Sequence, residues 1–251
     1  MPREPAALSE QEGNIRIIRL NRPERRNALD LQDRRDLIAE LDAATADPKT
    51  SVIVLTGVGP IFSAGGDIRS MPTDPEVARV RLRVLTELVG KLVEGPKAIV
   101  SAVEGGAFGL GLSLVATTDY VVASREARFA ASFGKLGLVP DTGLFWSLPR
   151  RIGAARAQEL VLLANDMSAS EAHAAGLVSE LVEPGMSLPR ALEVAGRIAS
   201  GSPHMIAATR RIFAQPDQSL AGLLAAEADA QMNLLATDEF AQRRDAFLGR
   251  R

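Results

Sequence analysis

The sequence predicts an α/β protein, and three observations predict it. Short runs rich in aliphatic and β-branched residues, Val52 to Leu55, Ala98 to Val103 and Tyr120 to Ala123, fit strands buried on both faces. An apolar repeat at helical spacing, Val77, Val80, Val84, Leu88 and Leu92, separates the first two runs. The last third changes character and reads as successive helices with no strand pattern. Strands alternating with helices, followed by a helical tail, describe a sheet covered by helices and an appendage used for docking or oligomerisation.

Taken in order, Ile15 to Leu20 alternates aliphatic and polar residues after a Glu12-Gly13-Asn14 turn, which predicts the first strand. A basic loop follows, Asn21 to Asn27, and Asp30 then stands as a helix cap before Leu37, Ile38 and Leu41 on one face. The second strand, Val52 to Leu55, ends in Thr56-Gly57 and opens a loop to Gly66. The apolar repeat predicts a helix over Pro75 to Val93. The glycine-rich stretch Gly105 to Gly111 joins the third strand to a short apolar helix, Leu112 to Thr117. Ser168 with Glu171 fits a capping box and Gly176 the helix stop. Beyond Val182, helices are expected over about Leu188 to Ala199, Pro203 to Phe213, Leu220 to Ala236 and Asp238 to Leu248.

Composition narrows the chemistry. With 251 residues, 46% hydrophobic and 24% charged, the chain has enough apolar material for a full globular core. Absence of cysteine excludes disulfides, thiolate catalysis and Cys-ligated metals. His173 and His204 lie far apart without metal-ligand spacing, so no metal site is expected and both read as structural. A net charge of -2 argues against a nucleic-acid binder. No apolar run is long enough to span a bilayer, and Met1 to Glu10, with Pro2 and Pro5, does not read as a signal peptide. A cytoplasmic location without nucleic-acid or membrane partners is the default expectation.

Two loops carry the clearest chemical signal, because each is a buried strand opening into glycines. They are Phe62-Ser63-Ala64-Gly65-Gly66-Asp67-Ile68 and Glu104 to Gly111. Small residues let a ligand approach the backbone, and free N–H groups at a helix start attract negative charge. Converging, they would form a two-donor oxyanion hole; apart, they are tight turns packing helix on sheet. Asp141, in Gly137-Leu138-Val139-Pro140-Asp141-Thr142-Gly143, is either a plain helix N-cap or a carboxylate aimed into an apolar pocket near Phe133, Phe145 and Trp146. The two alternatives predict opposite pKa shifts, down for a cap and up for a buried base. Arg19, Arg22, Arg25 and Arg26 form either a solvated charge cluster or a site for a phosphorylated ligand.

Together these segments resemble the enoyl-CoA hydratase/isomerase (crotonase) family. The features are Leu20-Asn21-Arg22-Pro23 with Asn27-Ala28-Leu29, Val54 to Gly57, Phe62 to Ile68, Glu104 to Gly111, and Ala174-Ala175-Gly176-Leu177-Val178, in family order and near family spacing. The resemblance implies a ClpP-like spiral of ββα units over residues 1–195 and a helical trimerisation region over 196–251. A homotrimer or a hexamer, as a dimer of trimers, is expected with it. The ligand it implies is an acyl-CoA thioester, with coenzyme A as part of the substrate and no separate cofactor. Ala64 and Leu110 fall where the family places its oxyanion-hole N–H donors, with leucine replacing a usual glycine at the second. Gly65, Gly66, Asp67 and Ile68 match the CoA-contacting segment, with Ala28 beside it, and Arg25 and Arg26 lie where basic residues meet the nucleotide phosphates. Val77 to Leu88 matches the stretch that covers the acyl pocket in the family.

The departures shape the expected activity. Family hydratases use two glutamates, and the matching positions here are Ser113 and Phe133. Leu138-Val139-Pro140-Asp141 is similar to the ring-epoxide isomerases of phenylacetyl-CoA breakdown, which carry a catalytic aspartate there. The dehalogenase branch shares that aspartate but needs a histidine on the long helix, and Pro75 to Val93 has none. An acyl-CoA isomerase using Asp141 as acid and base is therefore the preferred expectation. A hydratase with altered acids, or a non-catalytic acyl-CoA binding protein, is the alternative.

Overall fold

Two sheets meeting along one chain path organise the protein. The computed structural model describes residues 3–215 and 219–249. Strands β1 (Ala7–Glu12) and β2 (Ile15–Leu20) form a hairpin, followed by α1 (Leu31–Ala46), β3 (Val52–Gly57), α2 (Pro75–Glu94) and β4 (Ala98–Val103). The chain continues through β5 (Gly106–Phe108), α3 (Leu110–Thr117), β6 (Tyr120–Ser124), β7 (Arg128–Ala130), α4 (Leu144–Ile152) and α5 (Ala154–Leu163). Then come β8 (Met167–Ser168), α6 (Ala169–Ala175), β9 (Glu180–Val182), α7 (Ser187–Ala199), α8 (Pro203–Ala214), α9 (Leu220–Leu235) and α10 (Asp238–Leu248).

The large sheet has the order β1-β2-β3-β4-β6-β9, antiparallel only at β1–β2. The small sheet has the order β5-β7-β8. Isolated bridges Leu29–Gly66 and Ser63–Ala107 extend the small sheet's pairing toward the N-terminal half. Each pass from a large-sheet strand to a small-sheet segment and back through a helix is one turn of the expected spiral.

Side-chain alternation explains why the central strands are apolar throughout. Ile18, Leu20, Ile53, Leu55, Ile99, Val103 and Val121 face one core, shared with α1, α2, α3 and α4. Ile15, Ile17, Val52, Val54, Val100 and Val122 face the other, closed by Ala191, Val194, Ala195 and Ala199 of α7 and Ile206 of α8. A sheet covered on both faces needs apolar residues at both phases of the pleat. Because α7 runs to Ala199 against the sheet, the division expected at residue 196 falls inside a core helix.

Most differences from the sequence expectation are short or edge elements. Strand β1 was not expected: only Ala7 is buried in it, and Leu8 to Glu12 is polar or exposed, as an edge strand permits. β5, β7 and β8 are two or three residues long, below the length at which period-two patterning is visible. The helices expected after Val182 all form, within a few residues of their expected ends. Among the described residues, no helix is long and apolar enough to cross a membrane.

The start of α1 is built around one carboxylate. Asp30 and Asp33 form a reciprocal capping box, Asp33 N donating to Asp30 Oδ1 at 2.9 Å and Asp30 N to Asp33 Oδ2 at 2.8 Å. Asp33 is fully buried and also accepts from Arg22 Nε at 3.0 Å, from Arg25 Nη2 at 3.0 Å and from Arg3. Removing one partner of a buried ionic cluster strands the others, at a cost of about 3–5 kcal/mol. Asp33→Ala is expected to lower the urea unfolding free energy by about 3 kcal/mol, since Arg22 keeps its carbonyl acceptors at Glu4, Pro5 and Asn21.

Candidate active site

The two glycine-lined bends converge. Ser63 pairs with the second bend, its N–H donating to Gly106 O at 3.3 Å and its carbonyl accepting from Phe108 N at 3.0 Å. Gly65 has φ +105°, and a Cβ there would sit 2.6 Å from Phe108 O and 3.3 Å from Leu110 N. Gly111 is equally constrained from the other side, since its Cβ would lie 2.7 Å from Ser63 O. Glycine is required at both positions because backbone meets backbone without room for a side chain.

The donors in these bends are partly reassigned. Ala64, expected as the first donor, gives its N–H to Arg26 O at 2.8 Å. The N–H of Gly65 goes to Ser63 Oγ at 3.0 Å. Gly66 lies in a parallel bridge in which Leu29 N donates to Gly65 O and Asp67 N donates to Leu29 O. That pattern turns the Gly66 N–H away from Leu29, and among the described residues no acceptor meets it. Leu110 opens α3, so its N–H has no partner within the helix, and none is provided by another described residue. Gly66 and Leu110 therefore each offer a free donor, one in each bend. The reason is the register of the Leu29–Gly66 bridge, which glycine spacing cannot reveal.

Asp141 is not a helix cap. Gly143, in the left-handed region at φ 69°, holds the N-cap of α4 without any side-chain hydrogen bond. The Asp141 carboxyl is reachable by solvent, yet protein packed around it makes desolvation the largest influence on its ionisation. Burial raises its pKa above the ordinary carboxylate value, and Arg34 and Arg81 oppose that rise. The loop is fixed by its neighbour: buried Thr142 hydrogen-bonds the hydroxyl of Ser113 on α3. Ser113 also donates to Gly109 O at 3.3 Å, so the Asp141 loop is tied to the helix whose first N–H is Leu110. The aromatic residues expected near Asp141 differ in burial. Phe133 packs on the main core, Phe145 is exposed, and the Arg150 guanidinium lies 4.3 Å from the Trp146 ring centre.

Arg34 on α1 and Arg81 on α2 were not anticipated. Both guanidinium groups stand at Gly66, with Arg34 Nη2 3.2 Å and Arg81 Nη2 3.3 Å from where a Cβ would be. A single arginine inside a helical pattern looks like an ordinary surface residue, so no signal in the sequence marked them. The basic cluster that did stand out divides its roles. Arg25 is held by Asp67 at 2.9 Å and Asp33 at 3.0 Å, with Asp30 at 3.5 Å, and so braces the first bend. Asp67 also caps the 3-10 turn after it through Arg69 N, leaving Ile68 exposed. Arg22 is buried against Asp33, Arg19 pairs with Glu10, and Arg26 is exposed with no ion pair among the described residues. Ala28 is partly buried, its N–H donating to Arg25 O at 3.1 Å. Among the described residues, no three His, Asp or Glu side chains stand together as a metal-holding group.

This architecture recurs in solved structures. The crystal structure of an enoyl-CoA hydratase from Polaromonas sp. JS666 superposes with a TM-score of 0.93 at 34% identity, over 98% of this chain and 97% of that one. That defines the class as the crotonase fold. A sequence model of the enoyl-CoA hydratase/isomerase family matches residues 10–251, and the chain belongs to that family. The 1,2-epoxyphenylacetyl-CoA isomerase of Escherichia coli K12 is 36% identical over 198 residues, 77% of this chain and 76% of that protein. The 2,3-dehydroadipyl-CoA hydratase of the same organism is 33% identical over 238 residues, 94% of this chain and 93% of that protein.

Gly65→Ala tests the convergence of the bends. Its Cβ would force apart backbone now 2.6 Å from that point. A misplacement of about 1 Å at a reacting centre costs about 100-fold in rate. Turnover is expected to fall by about that factor, while circular dichroism retains the folded spectrum.

Proposed function

We propose that the protein is an acyl-CoA isomerase in which the N–H groups of Gly66 and Leu110 hold the thioester oxygen and Asp141 moves the proton. The observation that carries this reading is the pairing of two acceptor-free backbone donors across the bends with one carboxylate tied to the same helix. Removing a proton beside a thioester places negative charge on its carbonyl oxygen. Two fixed N–H donors stabilise that charge, each by about 3 kcal/mol. The positive end of α3 adds to the effect at Leu110. Asp141 takes the proton as a base and returns it at another carbon as the conjugate acid, so a single carboxylate completes the reaction. Its raised pKa suits it to both roles.

The donor set favours isomerisation over hydration. Hydration requires a second group to position water and pass a proton. Ser113 and Phe133, which match the family's glutamates, carry no carboxylate, and the Ser113 hydroxyl is engaged with Gly109 and Thr142. The relative that is a 1,2-epoxyphenylacetyl-CoA isomerase supports the same choice. The coenzyme runs over Ala28, Gly65, Asp67 and Ile68 in this reading. Its phosphates meet Arg26, because Arg25 is already occupied by three aspartates.

The test is turnover of 3-enoyl-CoA and ring-epoxide thioesters by wild type and Asp141→Asn. We expect a loss of at least about 100-fold in the variant, the lower range for removing a general acid-base group. Crotonyl-CoA should keep its conjugated thioester absorbance; steady loss of it would mean hydration instead. Wild-type activity should rise with pH through an apparent pKa above the ordinary carboxylate range, because the base must be ionised. Stability moves the opposite way. Raised by burial, the Asp141 pKa gives a contribution that is present below the unfolded-state value and lost as pH climbs through the folded one. Asp141→Asn should therefore gain on wild type over that window, by a small margin since solvent reaches the group.

Self-association through the C-terminal helices belongs to the same reading. Phe213, Leu220, Met232 and Phe247 leave large apolar side chains exposed along α8, α9 and α10. Light scattering should return three or six chains per particle, and a monomer would remove this element.

A further inference from the structure

Among the described residues, Arg34 and Arg81 are buried cations that make no ion pair and that the proposed chemistry does not use. Arg34 is 2% exposed and Arg81 7%. Arg34 Nη2 donates to Leu29 O at 3.3 Å, and Arg81 Nη1 reaches Ser70 O at 3.3 Å and Ser70 Oγ at 3.2 Å. Arg34 Nε, Arg34 Nη1 and Arg81 Nη2 are buried and meet no acceptor. One of these orphaned donors, Arg81 Nη2, is the very atom 3.3 Å from the Cβ position of Gly66. Burial pushes the Arg34 pKa down to about 10, with the Arg81 charge adding to the effect, and burial lowers that of Arg81 as well; a guanidinium keeps its proton in proteins.

Nearby carboxylates offset the charge of the pair only at longer range, Asp141 among them. No described carboxylate oxygen lies within 4.0 Å of either guanidinium. Asp30, Asp33 and Asp67 contribute at longer range but are already ion-paired with Arg3, Arg22 and Arg25. Asp141 alone faces the two arginines without another cation of its own. Two like charges brought together in a buried place repel, and unpaired buried donors are costly. Such a pair is stabilised by an anion that accepts from both, and arginine suits a planar carboxylate.

We infer that Arg34 and Arg81 form a subsite for a second carboxylate on the acyl group, so that the preferred ligands are CoA thioesters of short dicarboxylic acids. This rests on the reading that the Gly66 and Leu110 amides hold the thioester. The donors stand beside Gly66, which places the second carboxylate a few carbons from the thioester carbonyl and on the Asp141 side. The coenzyme phosphates are the competing anion. They are disfavoured because the donors are buried at the reacting end, whereas Arg26 is exposed and has no ion pair among the described residues.

Isothermal titration with glutaryl-CoA, pentanoyl-CoA and free coenzyme A separates these possibilities, because neither thioester has a double bond to react. Wild type should bind glutaryl-CoA about 10- to 100-fold more tightly than pentanoyl-CoA, the range for charge-assisted hydrogen bonds. Arg81→Met should abolish that preference while leaving pentanoyl-CoA affinity within about threefold, well below the effect of one charge-assisted bond. Equal affinity of wild type for the two thioesters overturns the subsite and leaves the acyl-CoA reading intact. Equal weakening of all three ligands in Arg81→Met assigns the arginines to the coenzyme phosphates and also overturns it. Binding of neither thioester by folded protein removes the acyl-CoA reading and this inference with it. If Arg81→Met does not fold, the wild-type comparison decides alone.

Discussion

Backbone-to-backbone contact between residues 63–66 and 106–111 is the constraint from which the site follows. Ser63 bridges Ala107, Gly65 turns at a positive φ against Phe108 O, and Gly111 passes Ser63 O with no space for a Cβ. Main-chain groups held this closely have their directions set by sheet pairing and not by rotamers. Consequently the directions of the Gly66 and Leu110 N–H groups are fixed by the backbone. A donor already oriented needs no reorganisation when charge develops in front of it, which is where such groups gain most of their effect.

Electrostatics are arranged around that bend in two tiers. Arg22 and Arg25 converge on Asp33, and Arg25 continues to Asp67, so one buried carboxylate ties the start of α1 to the first bend. These charges are paired and hydrogen-bonded, the condition under which burying them is tolerated. Arg34, one residue beyond Asp33, turns the other way, toward Gly66 and the Asp141 loop. Neighbours in sequence thus serve different ends because a helix turns by about 100° per residue.

The Asp141 loop joins the two tiers through packing. Thr142 is locked to Ser113 of α3, Gly143 closes on Val89 of α2, and the adjacent Asp141 carboxylate feels the charges of Arg34 on α1 and Arg81 on α2. The Ser113 hydroxyl thus anchors the loop that carries Asp141.

Much of the fold was legible in the chain itself. The paired apolar phases of β3 and β4, the Asp30 and Ser168 caps, and the helices beyond Val182 follow from local periodicity and capping chemistry, which act over a few residues. The family and the two glycine bends were legible too, since backbone crowding admits no other residue at Gly65 and Gly111. What the tertiary structure alone decided was direction. It moved the free donor from Ala64 to Gly66, removed Asp141 from a cap, and brought Arg34 and Arg81 to one point from separate helices. Each of those depends on the register between segments distant in sequence, and a one-residue change of register reverses which way every N–H and side chain points.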